Sequence, residues 1–166
     1  YPNSLGTLYI DSYSSSNNPG TINLINSSGK NLKTIHQRDN PFSDIIMGNI
    51  EIDSFKLENG IVINTRIIKP YNYNDSIAYP LLLYVYNGPN VQLIENDFLA
   101  SSSLWMHYLA NQGYIILTID GRGSENRGLD FEQIIFRNLG EIEMKYQIRG
   151  LQNFISKENV DKNRIA

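Results

Sequence analysis

The stretch YPLLLYVYNGPN, Tyr79 to Asn90, decides how the rest of the chain is read. From Leu81 to Tyr86 every residue is aliphatic or aromatic, with no polar alternation. That is the pattern of a strand buried on both faces, which belongs to a sheet covered by helices. The run stops at Asn87-Gly88-Pro89, a turn signal. Loops that follow the carboxyl ends of strands in open α/β sheets line the ligand crevice. A tyrosine at position 86 is therefore placed to aim its hydroxyl at a reacting oxygen. The plainer alternative is that Tyr86 closes the core with its hydroxyl in water.

Working outward, the next segments alternate in the same way. SSLWMHYLANQG predicts a helix with Leu104, Trp105, Tyr108 and Leu109 on its buried face and Gly113 as its stop. YIILTID is a second buried strand. A glycine-rich loop leads to the strongest helix, Gly140 to Glu158, where Met144, Ile148, Leu151 and Ile155 fall at helical spacing. Glu141 and Glu143 in its first turns and Lys157 near its end match the helix dipole. Arg164-Ile165-Ala166 reads as the start of one more strand. Upstream, IEIDSFKL and IVINTRIIKP flank Glu58-Asn59-Gly60 and predict a hairpin. Strands alternating with helices give a parallel sheet with right-handed crossovers, and the hairpin makes that sheet mixed.

The first 45 residues differ. LGTLYIDSY, TINLIN and NLKTIHQ alternate apolar and polar side chains and are separated by turn-rich SSSNNPG and NSSGKN. Three antiparallel strands cannot bury both faces alone, which assigns them to a larger β-assembly. The domain reading is thus 1–45 as β-strands plus connector, and 46–166 as α/β.

Bulk properties narrow the function classes. The 166 residues are 41% hydrophobic and 19% charged, with a formal charge of −3 and no basic cluster. That balance argues against nucleic acid or an anionic membrane as the main partner. There is no cysteine, so disulfides, thiol catalysis and Cys-bound zinc are excluded within the chain. The longest apolar stretch is too short to span a bilayer as a helix. The chain opens on Tyr1-Pro2 without an initiator Met, and it is read as an interior piece of something longer.

Other motifs are weaker. The glycines of GRGSENRG, Gly121 to Gly128, fit neither dinucleotide nor P-loop spacing, so nucleotide binding is not expected. Asp120 and Arg122 read as a structural pair or as crevice lining. His36 and His107 lack metal-ligand spacing, and no metal or other cofactor is implied. Glu141 and Glu143 point about 200° apart on a helix and cannot share a site. No Gly-x-Ser-x-Gly segment is present, so the chain carries no recognisable nucleophile elbow, and Ser124 is not one.

YPLLLYVYNGPN, TIDGRGSENRG, RNLGEIEMKYQIRG and VDKNRIA, in this order and spacing, closely resemble the dipeptidyl peptidase IV branch of the prolyl oligopeptidase family. The resemblance covers about Pro41 to Ala166, and the first 40 residues look like the last blade of that family's β-propeller. It implies an α/β fold, the N-terminal half of an α/β-hydrolase mixed sheet preceded by the last strands of a propeller. It also implies a serine exopeptidase that releases N-terminal dipeptides, often after proline, with Tyr86 supplying an oxyanion-hole hydroxyl. On the family pattern the catalytic serine, aspartate and histidine all fall beyond Ala166, and the acidic pair that binds the substrate's amino terminus falls before Tyr1. The chain is expected to be an inactive fragment with peptide substrates for its parent, no nucleic-acid or nucleotide partner, and self-association as a homo-oligomer or through exposed sheet edges. Its parent is expected to be periplasmic or extracellular. Two rivals remain: an acyl-peptide hydrolase or esterase, and a non-catalytic binding relative.

Overall fold

The computed structural model describes residues 1–57, 59–86 and 88–166 and divides the chain into two compact units. Glu58 of the hairpin turn and Asn87 of the loop after the apolar strand lie outside the described residues.

The first unit holds Tyr1–Ile45 together with Asn96–Ser101, so this later segment returns from the α/β part to which its sequence position assigns it. Its strands β1 (Leu8–Ser15), β2 (Asn18–Asn26) and β3 (Asn31–Gln37) form an antiparallel meander in sequence order. The tight turn falls at Ser16-Asn17, so Asn18 to Gly20 extend β2 rather than the loop. The returning segment is held by Leu99 N–H donating to the Ser16 carbonyl at 3.2 Å and by Phe98 stacked on Phe42 at 6.1 Å.

The second unit, Ile46–Glu95 with Ser102–Ala166, is a five-stranded mixed sheet carrying helices. Its strands are β4 (Asn49–Lys56), β5 (Val62–Lys69), β6 (Tyr79–Tyr84), β7 (Ile115–Asp120) and β8 (Val160–Ile165), in the order β4-β5-β7-β6-β8. The β4–β5 and β5–β7 pairs are antiparallel, whereas β6 runs parallel to both β7 and β8. The β4–β5 hairpin is closed by Leu57 N–H to the Ile61 carbonyl at 2.8 Å and by Gly60 at φ 84°, a conformation glycine adopts without penalty.

β7 is the spine. All six of its residues are buried, and alternation sends Ile115, Leu117 and Ile119 to one face and Ile116 to the other. The first set packs with Phe55, Ile63, Leu81, Tyr146 and Phe154, beneath helix α3 (Ile142–Lys157). Ile116 packs with Ile68, Met106 and Ala110, beneath helix α1 (Leu104–Asn111). Each such isoleucine contributes about 1.5–3 kcal/mol by leaving water. A short helix α2 (Leu129–Glu132) lies in the connection from β7 to α3.

Helix α1 ends as its sequence requires. Gly113, at φ 91°, donates to the Ala110 carbonyl, and Tyr114 donates to that of Leu109, the paired bonds of a Schellman cap. Both helices, however, turn a different face to the sheet from the one their apolar spacing predicts. In α1 the buried residues are Met106, His107 and Ala110; of the expected face Leu109 packs half-buried beside them, while Leu104, Trp105 and Tyr108 are exposed. The two-turn helix is apolar nearly all round, so its spacing does not single out a face. In α3 the buried stripe is Glu143, Tyr146, Gln147, Gly150 and Phe154, and Met144 and Ile148 are exposed. Gly150 sets this rotation: a Cβ there would stand 2.5 Å from Ile119 Cδ1, so the helix axis comes closer at this point than a side chain allows. Gln147 is satisfied in the interface by donating to the Ile119 carbonyl at 2.9 Å. Leu151 and Ile155 pack on the core from the edge of the stripe.

Two strand ends also move. β6 stops at Tyr84, two residues short of Tyr86, and only Tyr79 and Leu81 in it are buried. β8 begins at Val160, four residues before Arg164.

Candidate functional site

Because β6, β7 and β8 are mutually aligned, their carboxyl ends open on the same edge of the sheet. The loops leaving β6 and β7 start there, and so does the place where open α/β sheets hold ligands. Tyr86 stands in this loop and is 58% exposed. It borders a cleft of about 590 Å³ whose apolar wall includes Leu83, Met144, Ile148 and Ile165. The two exposed α3 residues, Met144 and Ile148, line this cleft. Gly88 explains how the tyrosine ring folds over the loop. A Cβ at Gly88 would lie 3.0 Å from Tyr86 Cε1 and 3.5 Å from Cζ, so the ring rests where a side chain would be.

The loop is tied down by Asp120, the last residue of β7 and only 4% exposed. One carboxylate oxygen accepts the Leu93 N–H at 3.1 Å, and the other accepts the Ile94 N–H at 2.8 Å. Arg66, 1% exposed on the neighbouring β5, donates to the Leu93 carbonyl at 2.8 Å and to Thr118 Oγ1 at 3.1 Å. Burial pushes the Asp120 carboxyl above its ordinary range, against the opposing pull of the two N–H groups and of Arg66 and Arg127. Of the two readings of Asp120 and Arg122, as a structural pair or as crevice lining, the direct pair is not formed. Arg122 instead donates to the Asp130 carbonyl and lies over the Phe131 ring at 5.9 Å. Arg127 covers the same ring at 4.6 Å, so the arginines of the glycine-rich loop are spent on packing it. Gly123 is required twice, by φ 104° and by Ile135 Cγ2 at 2.8 Å from the position of a Cβ.

The remaining candidates lie elsewhere. Ser124 is buried and donates to the Gly121 carbonyl at 2.9 Å, which removes it as a nucleophile. Glu143 is buried and accepts the Gly140 N–H at 2.8 Å, in the turn that leads into α3, while Glu141 is exposed. His36 is exposed in β3. His107 Nε2 lies 2.9 Å from Ser102 Oγ. The ring itself is 2% exposed on the inner face of α1, so this contact fixes a buried imidazole. Burial holds its imidazole below the ordinary value, opposed by the backbone of Gly48 and reinforced by the charge of Arg66. Among the described residues no group of three or more His, Asp or Glu could hold a metal ion.

Arg66 escaped the sequence reading. Its one visible signal is a cation inside the isoleucine-rich run INTRII, because a charge buried in a strand needs partners.

Comparison with known proteins agrees with this architecture. The profile of the prolyl oligopeptidase family matches residues 100–166. Dipeptidyl peptidase 8 of Mus musculus is 31% identical over 167 residues, covering 95% of this chain and 19% of that protein. A crystal structure described as a dipeptidyl aminopeptidase IV from Bacteroides ovatus superposes with a TM-score of 0.88 at 36% identity, over 99% of this chain and 24% of that one. The dipeptidyl peptidase 4 of Porphyromonas gingivalis gives 0.77 at 30% identity, over 96% and 23%. The chain spans about a fifth to a quarter of the length of these relatives. On these matches the chain belongs to the prolyl oligopeptidase family.

Proposed function

We propose that this chain supplies the first part of the hydrolase domain of a serine dipeptidyl peptidase, with the β1–β3 meander as the end of its propeller. The observation that carries the reading is Tyr86, exposed beside an apolar cleft at the carboxyl edge of β6. Its hydroxyl donates to the oxyanion that forms when a serine attacks the scissile carbonyl. The substrate is a polypeptide with a free amino terminus, cleaved after its second residue, often proline. Nucleophile, base and orienting acid come from parts of the peptidase outside these residues, since the sequence holds no Gly-x-Ser-x-Gly turn. An oxyanion donor without a nucleophile does almost no chemistry, so the 166 residues alone are inactive. The peptidase acts in the periplasm or outside the cell, and the chain self-associates through its exposed strand edges.

Tyr86→Phe in the full-length peptidase tests the assignment. Loss of one such donor lowers kcat about 10²–10³-fold, or roughly 3 kcal/mol of transition-state stabilisation. Unchanged turnover of a Gly-Pro chromogenic substrate would sink the role.

A further inference from the structure

We propose that Asp120, backed by Arg66, is a positioning residue that fixes where the loop from β6 delivers the Tyr86 hydroxyl. The inference rests on the reading of Tyr86 as the oxyanion donor.

Leu93 is gripped at both its polar backbone groups. Its N–H goes to Asp120 and its carbonyl accepts from Arg66, with Ile94 N–H on the second carboxylate oxygen. These contacts anchor the far end of the loop that starts at Tyr86. Two more tie the same stretch to the loop after β7: Glu125 N–H to the Val91 carbonyl at 3.3 Å, and Asn126 Nδ2 to Gln92 Oε1 at 3.0 Å. Between anchor and tyrosine, Pro89 restricts one residue, and Gly88 leaves the space that the Tyr86 ring occupies. Among its described residues the loop has no strand partner, so its buried N–H groups need side-chain acceptors or remain unpaired.

The choice of residue points beyond fold maintenance. Five of the six β7 residues are isoleucine, leucine or threonine, and an apolar sixth would complete the strand without desolvating a charge. A carboxylate there is expensive, as the upward push on its proton affinity records. What it provides is two directed acceptors at one point, the geometry that orients a loop. A donor displaced by about 1 Å can lose about 10²-fold in rate, so loop placement is worth that expense in an oxyanion site.

The test has two arms. In the 166-residue chain, amide hydrogen exchange is followed at Leu93 and Ile94 with Ile116 and Leu117 as internal references. Asp120→Asn keeps one acceptor and turns an NH₂ toward the other N–H. One of the two loop amides should then exchange at least about tenfold faster while the β7 references stay protected. In the full-length peptidase, Asp120→Asn should lower kcat about tenfold or more with KM within about twofold, the mark of a transition-state contact. In the Tyr86→Phe background the same change should cost less than about threefold, because the group it positions is gone. Losses that multiply, or a change in KM alone, overturn the proposal, and so does unchanged exchange at both Leu93 and Ile94. A silent Tyr86→Phe together with faster loop exchange would remove the oxyanion reading and leave Asp120 a loop anchor without a catalytic consequence.

Discussion

Replacing Gly150 by alanine puts the depth of α3 packing to a quantitative test. Glycine in a helix interior is worse than alanine by about 1 kcal/mol, so on an exposed helix the substitution would stabilise. Here the new Cβ would sit 2.5 Å from Ile119 Cδ1, 3.1 Å from Cγ2 and 3.2 Å from Cγ1. Carbon pairs are at rest at about 3.5–4.0 Å, so all three contacts are compressed. Ile119 is 1% exposed in the middle of the core, and rotating its terminal methyl relieves only the first contact. Overpacking of this kind costs about 1–3 kcal/mol, which outweighs the propensity gain and leaves a net loss of about 1 kcal/mol. Ile119→Val deletes Cδ1 and alone costs about 0.5–1.5 kcal/mol. In the Ile119→Val background, Gly150→Ala should be within about 0.5 kcal/mol of neutral, giving a coupling near 1 kcal/mol in the double-mutant cycle. Urea unfolding followed by circular dichroism at 222 nm is the assay, since α1, α2 and α3 all lie in the α/β unit. A stabilisation of about 1 kcal/mol by Gly150→Ala in both backgrounds would refute the close approach of α3 to β7.

Two further outcomes follow from the same geometry. Gly88→Val should displace the Tyr86 ring and depress kcat of the full-length peptidase toward the Tyr86→Phe level, whereas an unchanged kcat would show that the ring does not depend on that space. At the other end of the sheet, Lys69 bridges Glu158 at 2.9 Å and Glu51 at 3.1 Å, and Tyr73 donates to Glu158 at 2.9 Å. Burial opposes the Lys69 charge, but the hydrogen bonds and charges of Glu158 and Glu51 outweigh it and hold the ammonium above its ordinary value. Burial, with Glu158 next, pushes the Tyr73 phenol up as well. Both groups bind protons more tightly folded than unfolded. Their contribution is complete below about pH 10 and is lost as pH rises through the folded values. Stability measured by urea titration from pH 8 to 11 should fall above pH 10, and Glu158→Gln should flatten that fall. An equally steep fall in the variant would place its origin elsewhere.

What the sequence determined was the kind and order of the elements. Uninterrupted apolar runs marked β6 and β7, period-two alternation marked the meander and the hairpin, and Gly113 marked the end of α1. Four motifs in fixed order carried the family, and the tyrosine after β6 carried the candidate site. These features are local, and a chain expresses them through its own backbone. Which way each helix faces is a different kind of fact. Apolar spacing favoured Met144 and Ile148 for the core of α3, yet the helix turns Gly150 to Ile119, because a missing side chain allows closer approach than a large apolar one. Hydrophobicity counts cannot register an advantage that lies in absent volume. The return of Asn96–Ser101 to the first unit and the grip of Asp120 on Leu93 and Ile94 were equally invisible. The partners of that carboxylate are backbone N–H groups, which every non-proline residue carries alike, so only the tertiary fold decides which ones it meets.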